Sequence, residues 1–136
     1  MNHVDIRKAG GVFIKDRRLL VTRSYGKDMF VAPGGKLEPG ETATAALIRE
    51  IMEEIQIEIT EMDIMPLDTF QAQAAGTTDK TIEMKVFLIK NMKGEPTPSS
   101  EIEEIMWINT HTTGIQLGSI FEHNVMPLLR KMDLID

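Results

Sequence analysis

One segment limits this chain more than any other: PGGKLEPGETATAALIREIMEEIQIEI, residues 33–59. Two prolines and three glycines, Pro33, Gly34, Gly35, Pro39 and Gly40, stop any regular element and predict a loop reaching most of the way to Thr42. Beyond it, Leu47, Ile48, Ile51, Met52 and Ile55 recur at helical spacing and predict a helix to about Ile55, capped by Thr42 or Thr44. On 3.6 residues per turn, Glu50, Glu53 and Glu54 fall within an arc of roughly 100°, centred roughly 140° from the apolar set. The expected element is therefore a helix with one face in the core and three carboxylates together on the outward side.

Like charges at this spacing cost on the order of 0.2 to 0.5 kcal/mol per pair on an exposed helix, and no basic residue sits four positions on to relieve them. No Lys or Arg follows Arg49 until Lys80. The ordinary fate of an acidic run is a solvated face. The glycine-proline loop argues for a bound cation instead. Magnesium takes about six hard oxygen ligands, one or two carboxylates with waters and phosphates being common, and a tight loop can add a backbone carbonyl from Gly34 or Gly35.

The rest of the chain reads as a mixed α/β arrangement. Residues 10–14 and 19–23 are strand-like and joined by a polar turn at 15–18, which predicts a hairpin. Residues 66–74 and 80–90 read as two further strands paired through AGTTD at 75–79, the second with Ile82, Met84, Val86 and Leu88 on one side. KGEPTPSSE is a loop, EIMWIN a short strand, and residues 120–132 an amphipathic helix that Ser119 can cap. The order β, β, helix, β, β, β, helix predicts one domain over residues 1–136, a mixed sheet with helices packed against it.

Charge and composition narrow the function classes. A net charge of −6 argues against a general binder of nucleic-acid polymers or anionic membranes, which need a basic footprint. The absence of cysteine excludes disulfides, thiolate metal sites and cysteine nucleophiles. No run approaches the ~18 apolar residues of a membrane span and no signal core opens the chain, so a cytoplasmic protein is the expectation.

The same segment resembles a family signature. GGKLEPGETATAALIREIMEEIQI is similar to the Nudix box: Gly, five residues, Glu, seven residues, Arg-Glu, an aliphatic, any residue, Glu-Glu, any residue, Gly, an aliphatic. The matching positions are Gly35, Glu41, Arg49, Glu50, Ile51, Glu53, Glu54 and Ile57. One position departs, Gln56 standing where the family has glycine. A glycine there would end the helix in a left-handed turn, so the departure touches the helix cap and not the chemistry.

The resemblance implies an α/β/α sandwich and the hydrolysis, with Mg²⁺ or Mn²⁺, of a nucleoside diphosphate linked to another group, nucleoside triphosphates among them. It implies Glu50, Glu54 and the Gly34 carbonyl as metal ligands. Glu53 would join a second metal's shell or orient the attacking water, and Arg49 would pair with Glu41 and hold the carboxylates in place. The expected partner is a small nucleotide, with a homodimer left open. The competing reading is a Nudix-fold module that binds a nucleotide without cleaving it, for which the repulsive carboxylate cluster has no physical use.

Outside the box, Arg23 and Lys36 flank the loop and can meet phosphates or simply face solvent. Phe30 can stack on a base, although the core is the ordinary place for it, as it is for Trp107. Some relatives add a glutamate from a later loop, and SSEIEEIMW offers Glu101, Glu103 and Glu104, of which Glu104 is favoured. His111 and His123 show no ligand-like spacing and are expected as surface or helix-facing residues.

Overall fold

The structure is a computed structural model that describes residues 4–73 and 80–136. Its strands are β1 (Ile6–Val12), β2 (Ile14–Lys15), β3 (Arg18–Ser24), β4 (Met29–Phe30), β5 (Gly34–Lys36), β6 (Ile64–Gln73), β7 (Thr81–Ile89), β8 (Ile102–Ile108) and β9 (Gln116–Leu117). Helix α1 (Ala43–Ile55) follows β5, and α2 (Met126–Lys131) closes the chain. The expected mixed α+β arrangement is found. The connection expected through 75–79 lies outside the described residues.

One sheet has the order β5-β1-β7-β6, with β1 and β7 parallel and the outer pairs antiparallel. A second has the order β2-β3-β8, and β4 pairs with β9. The expected hairpin is real but short: β2 alone pairs with β3, and residues 6–12 form a separate strand, β1, of the first sheet. After Val12 the chain leaves β7 and continues as β2 against β3. Asp16 and Arg17 make the turn with positive φ, 52° and 60°. Neither is glycine. The Arg17 guanidinium is held by Asp136 at 2.6 Å and Asp133 at 2.7 Å, which fixes the turn against the C-terminal segment.

Two apolar cores lie on the two sides of the sheets. Ala9, Phe13, Leu20, Phe87 and Ile89 pack beneath Ala46, Leu47, Ile51 and Ile55 of α1. Val12, Val21, Phe30 and Val86 pack with Phe121, Val125 and Leu129 from the C-terminal helical segment. Both faces of the second half of β7 are thus covered, which accounts for its unbroken apolar run, residues 86–89. Trp107 is half-buried at the edge of the α1-side core.

The C-terminal helix departs from the expected single run. Residues Phe121–Val125 form a π turn, with the Met126 amide bonding to the Phe121 carbonyl, before α2 begins. Pro127 has no N–H to donate, so the ladder widens where an ordinary i→i−4 bond cannot form. Ser119 is already part of the helical run and so does not stand at the cap position expected of it.

Candidate active site

Thr42 caps α1, its hydroxyl accepting a 3.1 Å bond from the Ala45 amide, as the sequence predicts. The buried side of the helix is rotated from the expected one. Ala43, Ala46, Leu47, Ile51, Ile55 and also Glu54 are buried, while Met52 is 43% exposed. The three box glutamates therefore do not share an outward face. Glu54 is only 5% exposed, Glu50 is half-buried, and Glu53 faces solvent.

Glu54 is received by β5. Its Oε1 accepts a 2.7 Å hydrogen bond from the Gly34 amide. Gly34 has φ of +144°, and a Cβ there would run into the Ala9 carbonyl oxygen. A Cβ at Gly35 would lie 2.6 Å from the Glu50 carboxyl carbon. The glycine pair is what lets β5 lie directly against two carboxylates.

Burial pushes the Glu54 carboxyl up to about 8, the Gly34 amide opposes that, and repulsion from Glu50, Glu101 and Glu53 adds to it. Glu50 is also raised, first by burial and against the pull of Arg49. Arg49 makes a two-pronged contact with Glu41 at 2.9 and 2.8 Å, reaches Glu50 at 2.8 Å and lies 3.5 Å from Glu53. The expected Glu41–Arg49 pair is present. The run is less unrelieved than its i+4 spacing suggests, because Arg49 stands four residues before Glu53. Arg49 and the Glu38 amide together hold the Glu41 carboxyl down at about 2.

Glu50, Glu54 and Glu101 each place a carboxylate oxygen within 4.8 Å of the others. The third member arrives by backbone bonding: the amides of Ser99 and Thr97 donate to the Glu54 and Ile55 carbonyls, 2.9 Å each. Those carbonyls are among the ones a helix end leaves unpaired. The Tyr25 amide then bonds to the Glu101 carbonyl at 2.9 Å. Gln56 takes the left-handed conformation itself, φ 58° and ψ 37°, and its side-chain amide reaches the Ser99 hydroxyl at 3.2 Å.

Glu104, favoured from the sequence, is placed elsewhere. It stands opposite Arg23 in the β3–β8 ladder and accepts a 3.2 Å bond from it, with Glu103 2.8 Å from the same guanidinium. The ladder register shifts between Arg23 and Ser24, just beyond the Arg23–Glu104 pair, and Glu104 is not among the carboxylates grouped with Glu50 and Glu54. Phe30 is 4% exposed, with the Arg23 guanidinium 6.0 Å from its ring centre, so it belongs to the core and presents no open face to a base. Lys36 is exposed, and its backbone carbonyl accepts a bond from Arg49. His111 and His123 are exposed, as expected. No described helix is long and apolar enough to cross a membrane.

Comparison with known proteins agrees with this geometry. The NUDIX domain profile matches residues 5–129. The chain is 39% identical over 90 residues to an 8-oxo-dGTP diphosphatase of Proteus vulgaris, covering 66% of this chain and 73% of that one. It is 27% identical over 124 residues to an 8-oxo-dGTP diphosphatase of Buchnera aphidicola, covering 90% and 94%. Among solved structures, a putative Nudix hydrolase family member from Chromobacterium violaceum superposes with a TM-score of 0.70 at 27% identity, over 98% of this chain and 79% of that one. The MutT Nudix hydrolase from Burkholderia pseudomallei gives 0.72 at 21% identity, over 93% and 95%, a likeness of fold. With the profile spanning nearly the whole chain, and with the glycine pair, the Glu41–Arg49 pair and the carboxylates assembled at one sheet edge, the chain belongs to the Nudix family and is a hydrolase acting on phosphoric anhydride bonds.

Proposed function

We propose that the protein is a metal-dependent pyrophosphohydrolase of nucleoside triphosphates. The observation that carries this is the convergence of Glu50, Glu54 and Glu101 on one point. Three hard oxygen donors without histidine or cysteine suit Mg²⁺ or Mn²⁺ better than a softer metal. The Glu50 and Glu54 carboxyls are raised first by burial and further by neighbouring glutamates, a repulsion that a bound cation would offset. The donor set therefore fits a divalent cation. Glu50, Glu54 and Glu101 would hold it, with the Gly34 carbonyl as a further oxygen. When bound, such a cation neutralises phosphate charge and makes a nearby water more acidic.

The remaining steps belong to the chain. Glu53, exposed and beside Arg49, is free to accept a proton from the attacking water or to orient it. Arg49, braced by Glu41, fixes the direction of Glu50, so that the carboxylates meet the phosphates in one geometry and little ordering remains for the reaction itself. Lys36 supplies positive charge for the substrate's phosphates. Arg23 would have to exchange Glu103 and Glu104 for phosphate before joining it.

The names of the Proteus and Buchnera relatives favour a purine deoxynucleoside triphosphate, 8-oxo-dGTP included. The test is a nucleotide screen with Mg²⁺ in which the products are identified. Release of pyrophosphate and a nucleoside monophosphate is expected. Turnover of none of the nucleotides, with binding intact, would leave a nucleotide-binding module in its place.

A further inference from the structure

Lys8 on β1 stands directly opposite Lys36 on β5 in an antiparallel ladder. Residues paired in this way project to the same face, their Cβ atoms roughly 4.5–5.5 Å apart. The next pair, Ala9 and Gly35, fixes which face that is. Ala9 lies in the core beneath α1, and a Cβ at Gly35 would meet the Glu50 carboxyl. Alternation sends Lys8 and Lys36 to the opposite face. There β7 sets Met84 beside Lys8 and β6 sets Phe70 beside Met84, both half-buried and apolar.

Like charges directly opposed on a sheet are destabilising. Among the described residues neither ammonium has a hydrogen-bonded or ion-paired partner, and neither lysine has an interaction left unstated. Two nearby arginines do have carboxylate partners: Arg23 is held by Glu103 and Glu104, and Arg7 lies 3.9 Å from Glu83. Lys8 is half-buried; burial and the charge of Lys36 disfavour its ammonium and Glu54 favours it, and its partner Lys36 lies two residues from Gly34, whose amide holds Glu54. A half-buried ammonium beside a second one, at the rim of an acidic site, is a local conflict of the kind that functional sites retain.

We propose that Lys8 and Lys36 form a two-armed clamp for the phosphate chain of the substrate, on the sheet face away from α1 and adjoining the carboxylates. The proposal rests on the phosphohydrolase reading and extends it to a residue outside the Nudix box. A polyphosphate carries several negative charges along its length. A cation at the carboxylates takes one part of that length, and two lysines a few ångströms on take the next. The bland account of Lys8 is a side chain that covers apolar surface with its stem and keeps its head in water. On that account its loss would weaken packing and leave ligand affinity alone.

The test uses the full chain with Lys8→Gln, Lys8→Met and Lys8→Arg. Titration with inorganic triphosphate in the presence of Mg²⁺ should show about tenfold weaker binding for Lys8→Gln and Lys8→Met and near-parent binding for Lys8→Arg. With dGTP, KM should rise by a similar factor while kcat stays within about threefold, and the salt dependence of KM should become shallower. Affinity for Mn²⁺ alone should hold. The thermal midpoint of Lys8→Met should equal or exceed the parent's, since repulsion from Lys36 is gone. Unchanged triphosphate binding would overturn the clamp, as would a lowered midpoint with kcat falling and affinity intact. Should the parent bind triphosphate yet hydrolyse no nucleotide, the hydrolytic reading fails and the Lys8→Gln titration still decides the clamp.

Discussion

The Gly34 amide donates a 2.7 Å hydrogen bond to a Glu54 carboxylate that is almost wholly buried, yet that carboxyl is pushed up to about 8. One backbone donor stabilises the charged form, and burial together with three neighbouring glutamates outweighs it.

Stability without metal should depend on pH through this group. The folded-state value lies above the unfolded one near 4.5, so Glu54 stabilises the fold fully below about 4.5 and loses that contribution as pH rises through about 8. Thermal midpoints in chelating buffer should fall across that window. Glu54→Gln should flatten the fall, exceed the parent's midpoint above pH 8 and abolish turnover. A variant that unfolds would remove Glu54 from the metal site. Glu41, held at about 2, has the opposite sign: its contribution is present above about 4.5 and is lost as pH falls towards 2.

Cation uptake near pH 7 should release a proton, because a ligand must be ionised to bind. Mg²⁺ or Mn²⁺ titrated calorimetrically in buffers of different ionisation enthalpy should give apparent heats that differ by up to about one proton's worth at pH 7 and converge above pH 9. Heats independent of buffer at both pH values would assign the binding to groups other than Glu54.

Glu101→Gln and Glu104→Gln separate the two candidate later-loop carboxylates. The first should weaken Mn²⁺ binding at least about tenfold, a usual cost for a lost carboxylate ligand. The second should leave Mn²⁺ affinity within about twofold, because Glu104 is occupied by Arg23. The reverse order would return the role to Glu104.

Arg49→Lys keeps the charge and loses the fork. Two oxygens of Glu41 and one of Glu50 cannot be met by a single ammonium in the same geometry. A destabilisation on the order of 2 kcal/mol is expected, with a larger loss in kcat than in KM. Denaturant unfolding and steady-state kinetics measure the two.

Gln56→Gly sets two small effects against each other. Glycine adopts φ of 58° without strain, a gain of about 1 kcal/mol, while the bond to Ser99 is lost at about the same cost. Stability should stay within about 1 kcal/mol of the parent and turnover within about threefold. A hundredfold loss of turnover with the fold intact would make Gln56 part of the active site.

The chemistry of this site was written locally, and its completion was not. Glu41, Arg49, Glu50 and the glycine pair lie in one stretch whose loop and helix follow from proline, glycine and apolar spacing. The burial of Glu54 was hidden because a helical wheel ranks faces by hydrophobicity, whereas the close approach of β5 decides which face is covered. The placement of Glu101 beside Glu50 and Glu54 goes with the backbone bonds of Thr97 and Ser99, which have no residue-type signature. The pairing of β4 with β9, two residues each, is equally silent in sequence. Pro127 carries a signal for the break in the last helix, its missing donor, but the apolar spacing reads straight through it as one run over residues 120–132.

The bonds from Thr97 and Ser99 to the end of α1 join that helix to the segment carrying Glu101. Any opening of residues 97–101 exposes two protected amide protons and withdraws one carboxylate in the same motion. If Glu54 and Glu101 hold a cation together, as proposed, its binding would close that hinge, and hydrogen–deuterium exchange at Thr97 and Ser99 would become a substrate-free gauge of site occupancy, readable residue by residue.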